Sequence, residues 1–201
     1  MKNKIIIECG ANLGHDTERL HQDNPDAMIF TFEPTIELFT EVLYPKFRNN
    51  KNVKIFPFAI DSNDGFTKFN VAGQADWGCS SLYEFSDDIH EKWPGRPDFK
   101  VTHSYLVPTI SLFNFCKAYD IEEIDFLWID TQGNDFNVLK SLREKIKNVK
   151  AGRCEVSLDV ELYKNTDNKL NTVKAWLEEN GFKVEVNAHG HNKEADLNFY
   201  K

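Results

Sequence analysis

The chain has 201 residues, 41% apolar and 28% charged, which fits one domain with a single sizeable core and excludes disorder and fibrous repeats. Twenty-four lysines and arginines against 32 aspartates and glutamates leave a formal charge of −8, which repels phosphate backbones and argues against nucleic acid as a partner. No apolar run approaches the ~20 residues of a membrane helix, so no membrane span is expected.

The first apolar run, Ile5-Ile6-Ile7 behind Lys4, reads as a strand and not as a signal peptide. Cys9, Cys79, Cys116 and Cys154 lie far apart, with no CxxC and no histidine at zinc-finger spacing. Isolated thiols without a leader point to a reducing compartment, so a cytoplasmic location is expected and a structural zinc is not.

Residues 4–9 (KIIIEC) are a β-branched run suited to a strand covered on both faces. A helix follows over 14–23, opening near Asn12 or Thr17, and 27–33 (AMIFTFE) is the next strand, stopping at Glu33-Pro34. Ile36, Phe39, Val42 and Leu43 have helical spacing, and 53–60 (VKIFPFAI) forms strand three, with Pro57 inside it. Residues 61–65 are a turn, Phe66–Val71 a short extra strand, and 73–100 a Gly-, Asp-, Pro- and aromatic-rich stretch. A segment this long between regular elements is expected to be a lid or substrate loop. After it come a helix at 111–119, a strand at 124–130 (IDFLWID), and a helix with Phe136, Leu139, Leu142 and Ile146 on one face. A strand at 153–158, a helix at 168–180 stopped by Gly181, and strands 182–188 and 195–200 around the turn HGHNKE complete the chain.

Repeated crossovers imply a parallel sheet with helices on both faces. The expected fold is therefore α/β: a doubly wound, Rossmann-like, mostly parallel sheet in three α/β/α layers, with one antiparallel strand from the C-terminal hairpin. One domain is expected over 1–201, with an inserted substrate or lid segment at about 62–107.

Ligands of such sheets sit at the carboxyl ends of the strands. The first end reads ECGANLG; counted from Gly10, the second and third glycine places of a pyrophosphate fingerprint hold Asn12 and His15, so that motif fails twice. A glycine turn still lets a neutral nucleoside approach the backbone. Glu33 closes the second strand, where a carboxylate can accept both hydrogen bonds of a ribose diol; the alternative is a cap for the following helix. Ribose without pyrophosphate suggests S-adenosyl-L-methionine instead of NAD. The cofactor-binding candidates are Glu8, Gly10, Ala11, Asn12, Gly14, Glu33, Ala59 and Asp61.

Ile6–Gly14 (IIECGANLG), Phe32-Glu33-Pro34, Ala59-Ile60, residues 124–135 (IDFLWIDTQGND) and Val138-Leu139-Lys140 together resemble the FkbM family of class I methyltransferases. The resemblance runs from the first strand to the Gly181-Phe182 turn. Its most specific part is residues 127–135: Asp130 and Gly133 match the family pattern, Gln132 follows one variant of it, and Asp135 stands where glutamate is usual. It implies methyl transfer from S-adenosylmethionine to oxygen, often on sugars or polyketides, and leaves the acceptor open. The chain starts almost at strand one, as a minimal enzyme or one module of a larger multidomain protein would. Some viral and bacterial glycan-building proteins look like glycosyltransferases fused to such a domain, which favours a glycan or small-molecule sugar acceptor such as rhamnose.

Methyl transfer needs alignment and removal of a hydroxyl proton. Asp130, at the end of a central strand, is the first candidate for base or acceptor orienter; the alternative is a cap for the helix near Asn134. Among six histidines, His103 in the polar run Thr102-His103-Ser104 is the preferred second candidate. Gln74–Leu82 resembles the family's Ser-Ser-Leu region, where Trp77 offers a flat face to a sugar and Asp76 and Ser80 offer hydrogen bonds. Gln132 and Glu155 complete the acceptor candidates, and Asp159 could flank the acceptor beside Glu155. Asp130, Glu155 and Asp159 form the one carboxylate set suited to Mg²⁺, but Gln132 and Asn134 stand where further carboxylates would strengthen it, and no metal is expected. The competing readings are a nucleotide-dependent oxidoreductase or epimerase, and a non-catalytic glycan- or protein-binding module of methyltransferase fold.

Overall fold

The computed structural model describes residues 3–73 and 77–201. Strand β1 (Ile5–Cys9) leads to helix α1 (His15–Asp23) and strand β2 (Met28–Phe32). Next comes one helical stretch of α2 (Ile36–Leu38), a π-helical segment (Phe39–Leu43) and α3 (Tyr44–Phe47). Strand β3 (Val53–Phe56), short β4 (Ala59–Ile60), β5 (Gly65–Val71), α4 (Ile89–Lys92) and β6 (His103–Ile110) follow. The second half holds α5 (Leu112–Ala118), β7 (Phe126–Ile129), α6 (Asp135–Ser141), β8 (Ala151–Ser157), α7 (Leu170–Glu179), β9 (Lys183–Ala188) and β10 (Glu194–Tyr200).

Seven strands form the main sheet in the order β3-β2-β1-β7-β8-β10-β9. Pairing is parallel from β3 through β8. The hairpin then folds back so that β10 lies antiparallel between β8 and β9. Side-chain alternation along β1 supplies the two faces. Ile7 and Cys9 join Phe115, Leu139 and Leu177 of the α5, α6 and α7 layer, while Ile6 joins Leu20, Leu43 and Phe47 of the α1 and α3 layer. Aromatic rings tighten the first layer: Phe115 meets Phe32 edge-on at 4.7 Å and Phe56 at 5.2 Å, contacts worth about 0.5–1.5 kcal/mol each beyond their buried area.

Two expectations are corrected. Strand three does not run from 53 to 60: it splits at Pro57-Phe58, with Val53–Phe56 in the main sheet and Ala59–Ile60 in a second one. Proline has no N–H for a ladder, and the chain turns out of the sheet there. The expected lid is also more regular than its composition suggests. Strand β6, unforeseen in the sequence, pairs along its length with β5, from Gly65↔Thr109 to Val71↔His103, and parallel to β4 at Ala59↔Thr109. Around this small sheet Trp93 and Phe99 pack with Leu162 and Tyr163 from the loop after β8.

Candidate functional site

The carboxyl ends of β1, β2 and β7 open on a cavity roofed by the second sheet and the turn Trp77–Cys79. Gly10 makes its floor. At φ +94 it lies in the left-handed region, and a Cβ there would stand 1.8 Å from the carbonyl oxygen of Asp130, so no side chain fits between the ends of β1 and β7. Asn12 continues the turn at φ +48. Gly14 serves packing, since a Cβ on it would meet Leu43 and Phe47 at 2.8 Å.

Glu33 is 5% exposed. Its Oε2 accepts the Asn12 amide at 2.7 Å and its Oε1 the Thr35 amide at 2.8 Å. One carboxylate thus clamps the glycine turn to the residue that precedes α2, while lining the cavity. Burial raises its pKa, and hydrogen bonds from the Thr35 side chain and from the Thr35 and Asn12 amides oppose that shift.

Asp130 lines the opposite wall. Gln132 Nε2 donates to its Oδ1 at 2.6 Å, while Gln132 Oε1 accepts from the buried Tyr163 hydroxyl at 2.9 Å. The Tyr163 hydroxyl also lies 2.9 Å from the Cys79 carbonyl; an ionised Asp130 can only accept, so the amide end of Gln132 that faces it donates. Burial raises the Asp130 pKa, and the Gln132 bond and the Arg153 charge oppose it. Asp130 is not the helix cap. The first-turn Phe136 amide of α6 donates to Asn168 Oδ1 at 3.2 Å. Buried Asp135 ties the chain after β7 to β8, its Oδ2 taking the Thr131 amide and hydroxyl at 3.1 and 2.9 Å and its Oδ1 the Glu155 amide at 2.9 Å. Burial and neighbouring Asp130 push its pKa up to about 7.

The structure brings Gly10, Asn12, Glu33 and Ala59 to one cavity with Asp130, Gln132, Trp77 and Ser80. It does not bring the other candidates there. Glu8 lies under α1, accepting from the Thr17 hydroxyl at 2.6 Å; burial pushes its pKa to about 7. Ala11 packs into the α1-side core. Asp61 sits beyond β4, its amide donating to the Ile110 carbonyl. His103 is 51% exposed at the start of β6, with Nε2 3.9 Å from Glu37. Glu155 is beside the β9–β10 turn, 3.7 Å from His189, and Asp159 is exposed. Asp76 lies outside the described residues. The sequence reading missed Phe58, Phe69 and Leu82, which give the cavity its apolar wall, and Asn134, whose amide donates to the Ile60 carbonyl at 2.9 Å and locks β4 over α6. Phe58 lies inside the strand-three run and Phe69 inside the short extra strand, and nothing local marks either as facing a cavity.

The family model for the methyltransferase FkbM domain matches residues 8–184. The chain belongs to that family. A curated relative of this FkbM domain, 2-O-methyltransferase NoeI from Sinorhizobium fredii, is 29% identical over 167 residues, covering 79% of this chain and 65% of the relative. The match thus spans just under two thirds of that protein. A methyltransferase FkbM from Methylobacillus flagellatus superimposes with a TM-score of 0.58 at 14% identity, over 98% of this chain and 44% of the other. TrmK of M. capricolum, in complex with S-adenosyl-homocysteine, gives 0.53 at 10% identity over 100% of this chain and 63% of its own. At these identities the two structures speak for the fold: an α/β sheet, mostly parallel, closed by an antiparallel hairpin. Among the described residues no helix is long and apolar enough to cross a membrane.

Proposed function

We propose that this FkbM domain is an S-adenosylmethionine-dependent O-methyltransferase acting on a sugar hydroxyl. The reading rests on Glu33. An ionised carboxylate has about four lone-pair directions; the Asn12 and Thr35 amides use one on each oxygen and the Thr35 side chain takes a third, which leaves acceptor capacity for a ribose hydroxyl. The bare Gly10 turn supports the same ligand, and so does the lining charge. Among the described lining residues there are two carboxylates and no lysine, arginine or histidine, a balance that suits a sulfonium and repels paired phosphates.

When bound, the donor supplies a methyl group already activated by its positive sulfur. The chain's own residues have to align the acceptor and take its proton. Asp130 is assigned the proton, with Gln132 and Tyr163 holding its carboxylate in place. Trp77 and Ser80 are assigned to the acceptor, whose C–H face packs on the indole. His103 is not assigned the base role, because its position on exposed β6 is outside the cavity lining. The name of the relative NoeI supports transfer to oxygen, and the S-adenosyl-homocysteine in the TrmK structure supports the donor.

The test is transfer of labelled methyl from S-adenosylmethionine to a panel of neutral glycans containing rhamnose and other deoxyhexoses. Label is expected in at least one glycan with the intact chain and to drop at least tenfold with Asp130→Asn. A chain that binds the donor but labels no glycan while labelling a non-sugar hydroxyl would overturn the sugar assignment.

A further inference from the structure

We propose that the β9–β10 hairpin binds a divalent transition-metal ion through His189, His191 and Glu194, with Glu155 beside them. The turn is closed by the His189 amide on the Glu194 carbonyl and the Asn192 amide on the His189 carbonyl, both at 2.9 Å, with Asn192 left-handed at φ +54. That backbone brings one ligand atom of each of His189, His191 and Glu194 within 4.8 Å of the other two. The His191 and Glu194 side chains come to 3.7 Å. Tetrahedral ligands at about 2.1 Å from a metal lie roughly 3.4 Å apart, so a small side-chain movement completes the site. Glu155 stands 3.7 Å from His189 Nδ1, and Asp196 stands 3.3 Å from Nε2.

Charge at the turn is mixed, since Arg96 and Lys193 act on His191 from nearby; it is the placement of the ligand atoms that points to a metal. Glu155, Glu194 and Asp196 converge on this turn, and the guanidinium of Arg153 is engaged with Asp196 at 2.6 Å. That leaves Glu155 and Glu194 facing two imidazoles, which are neutral ligands when deprotonated. Two nitrogens with carboxylate oxygens suit zinc, cobalt or nickel better than magnesium or calcium, which prefer all-oxygen sets. The side chains of His189, His191 and Glu194 are 28%, 40% and 13% exposed, so an ion can enter from solvent without unfolding. The cluster is separate from the cavity lining, and the inference does not depend on the methyl-transfer reading.

The experiment is calorimetric titration of Zn²⁺ into the untagged full chain after chelator treatment, repeated with Co²⁺ and its visible absorption as a second readout. One equivalent of Zn²⁺ is expected to bind, with affinity falling at least tenfold in His191→Ala and in Glu194→Gln and more in His189→Ala. His90→Ala, an exposed histidine elsewhere, is expected to bind as the parent does. Circular dichroism keeps the variants interpretable: a folded His191→Ala chain that binds Zn²⁺ as tightly as the parent overturns the proposal. Absence of any stoichiometric Zn²⁺ or Co²⁺ binding by the parent chain does so too.

Discussion

Three side chains arranged in series set the charge at the centre of the cavity: Tyr163, Gln132 and Asp130. The Gln132 amide stabilises the ionised form of Asp130, while burial works against it. If Asp130 takes the acceptor proton, activity falls as pH drops through its raised pKa. Tyr163→Phe frees the Gln132 amide to rotate, removes the donor from Asp130 and lets its pKa rise further, so the acid limb of the pH–rate profile should move to higher pH. An unmoved limb would return Tyr163 to a packing role. Asp130→Asn should lower turnover at least tenfold with S-adenosylhomocysteine affinity unchanged, measured as kcat against Kd. Much of this was legible in the sequence: Asp130, Gly10 and Glu33 each stand at the end of a strand that the apolar runs located. Tyr163 was not legible, because it reaches Gln132 from a loop 31 positions on and no local pattern encodes that distance.

Regular elements explain which parts of the fold could be read ahead. β1, β2 and β7 announce themselves by β-branched or apolar runs and β8 to β10 by alternating patterns, and Gly181, at φ +85, ends the last helix as its position suggests. The second sheet stayed hidden for two reasons. Its β4 follows β3 in one mostly apolar stretch with only Pro57 to mark the break, and its β6 contains Pro108, which reads as a strand breaker but pairs with Phe66 on β5. The approach of β1 to β7 gives an element-scale prediction. Gly10→Ala would force a methyl to within 1.8 Å of the Asp130 carbonyl at a positive φ, so the strand ends must separate. A loss of at least about 2 kcal/mol is expected, roughly 4–8 °C in melting temperature for a chain of this size, together with loss of S-adenosylhomocysteine binding. A variant that melts and binds like the parent would show that this contact relaxes without cost.

Across the whole molecule the carboxyl groups pull stability in two directions with pH. Asp64 and Asp98, held below the ordinary value by hydrogen bonds, lose their contribution as pH falls, whereas buried Glu8 loses its contribution as pH rises. Glu8 has a folded pKa of about 7 against an ordinary 4.5, raised chiefly by burial. The folded state therefore holds this proton more tightly than the unfolded state. The stabilisation is complete below pH 4.5 and is lost as pH rises to about 7, a change of up to about 3 kcal/mol. Glu8→Gln cannot ionise, so the parent should lose stability relative to this variant between pH 4.5 and 8 in denaturant titrations. A constant difference would mean that Glu8 is ionised at no cost. The same fold holds Glu33 and Asp130 across a cavity with no cationic residue among its described lining, and that pairing is the centre of the functional account. Its most direct test is calorimetric titration of S-adenosylhomocysteine into the chain and into Glu33→Gln, which places an amide donor against one of the two backbone N–H groups that Glu33 accepts. The account predicts one site in the parent and at least tenfold weaker binding in the variant. Equal affinity in the two, or no binding to the parent at all, would contradict it.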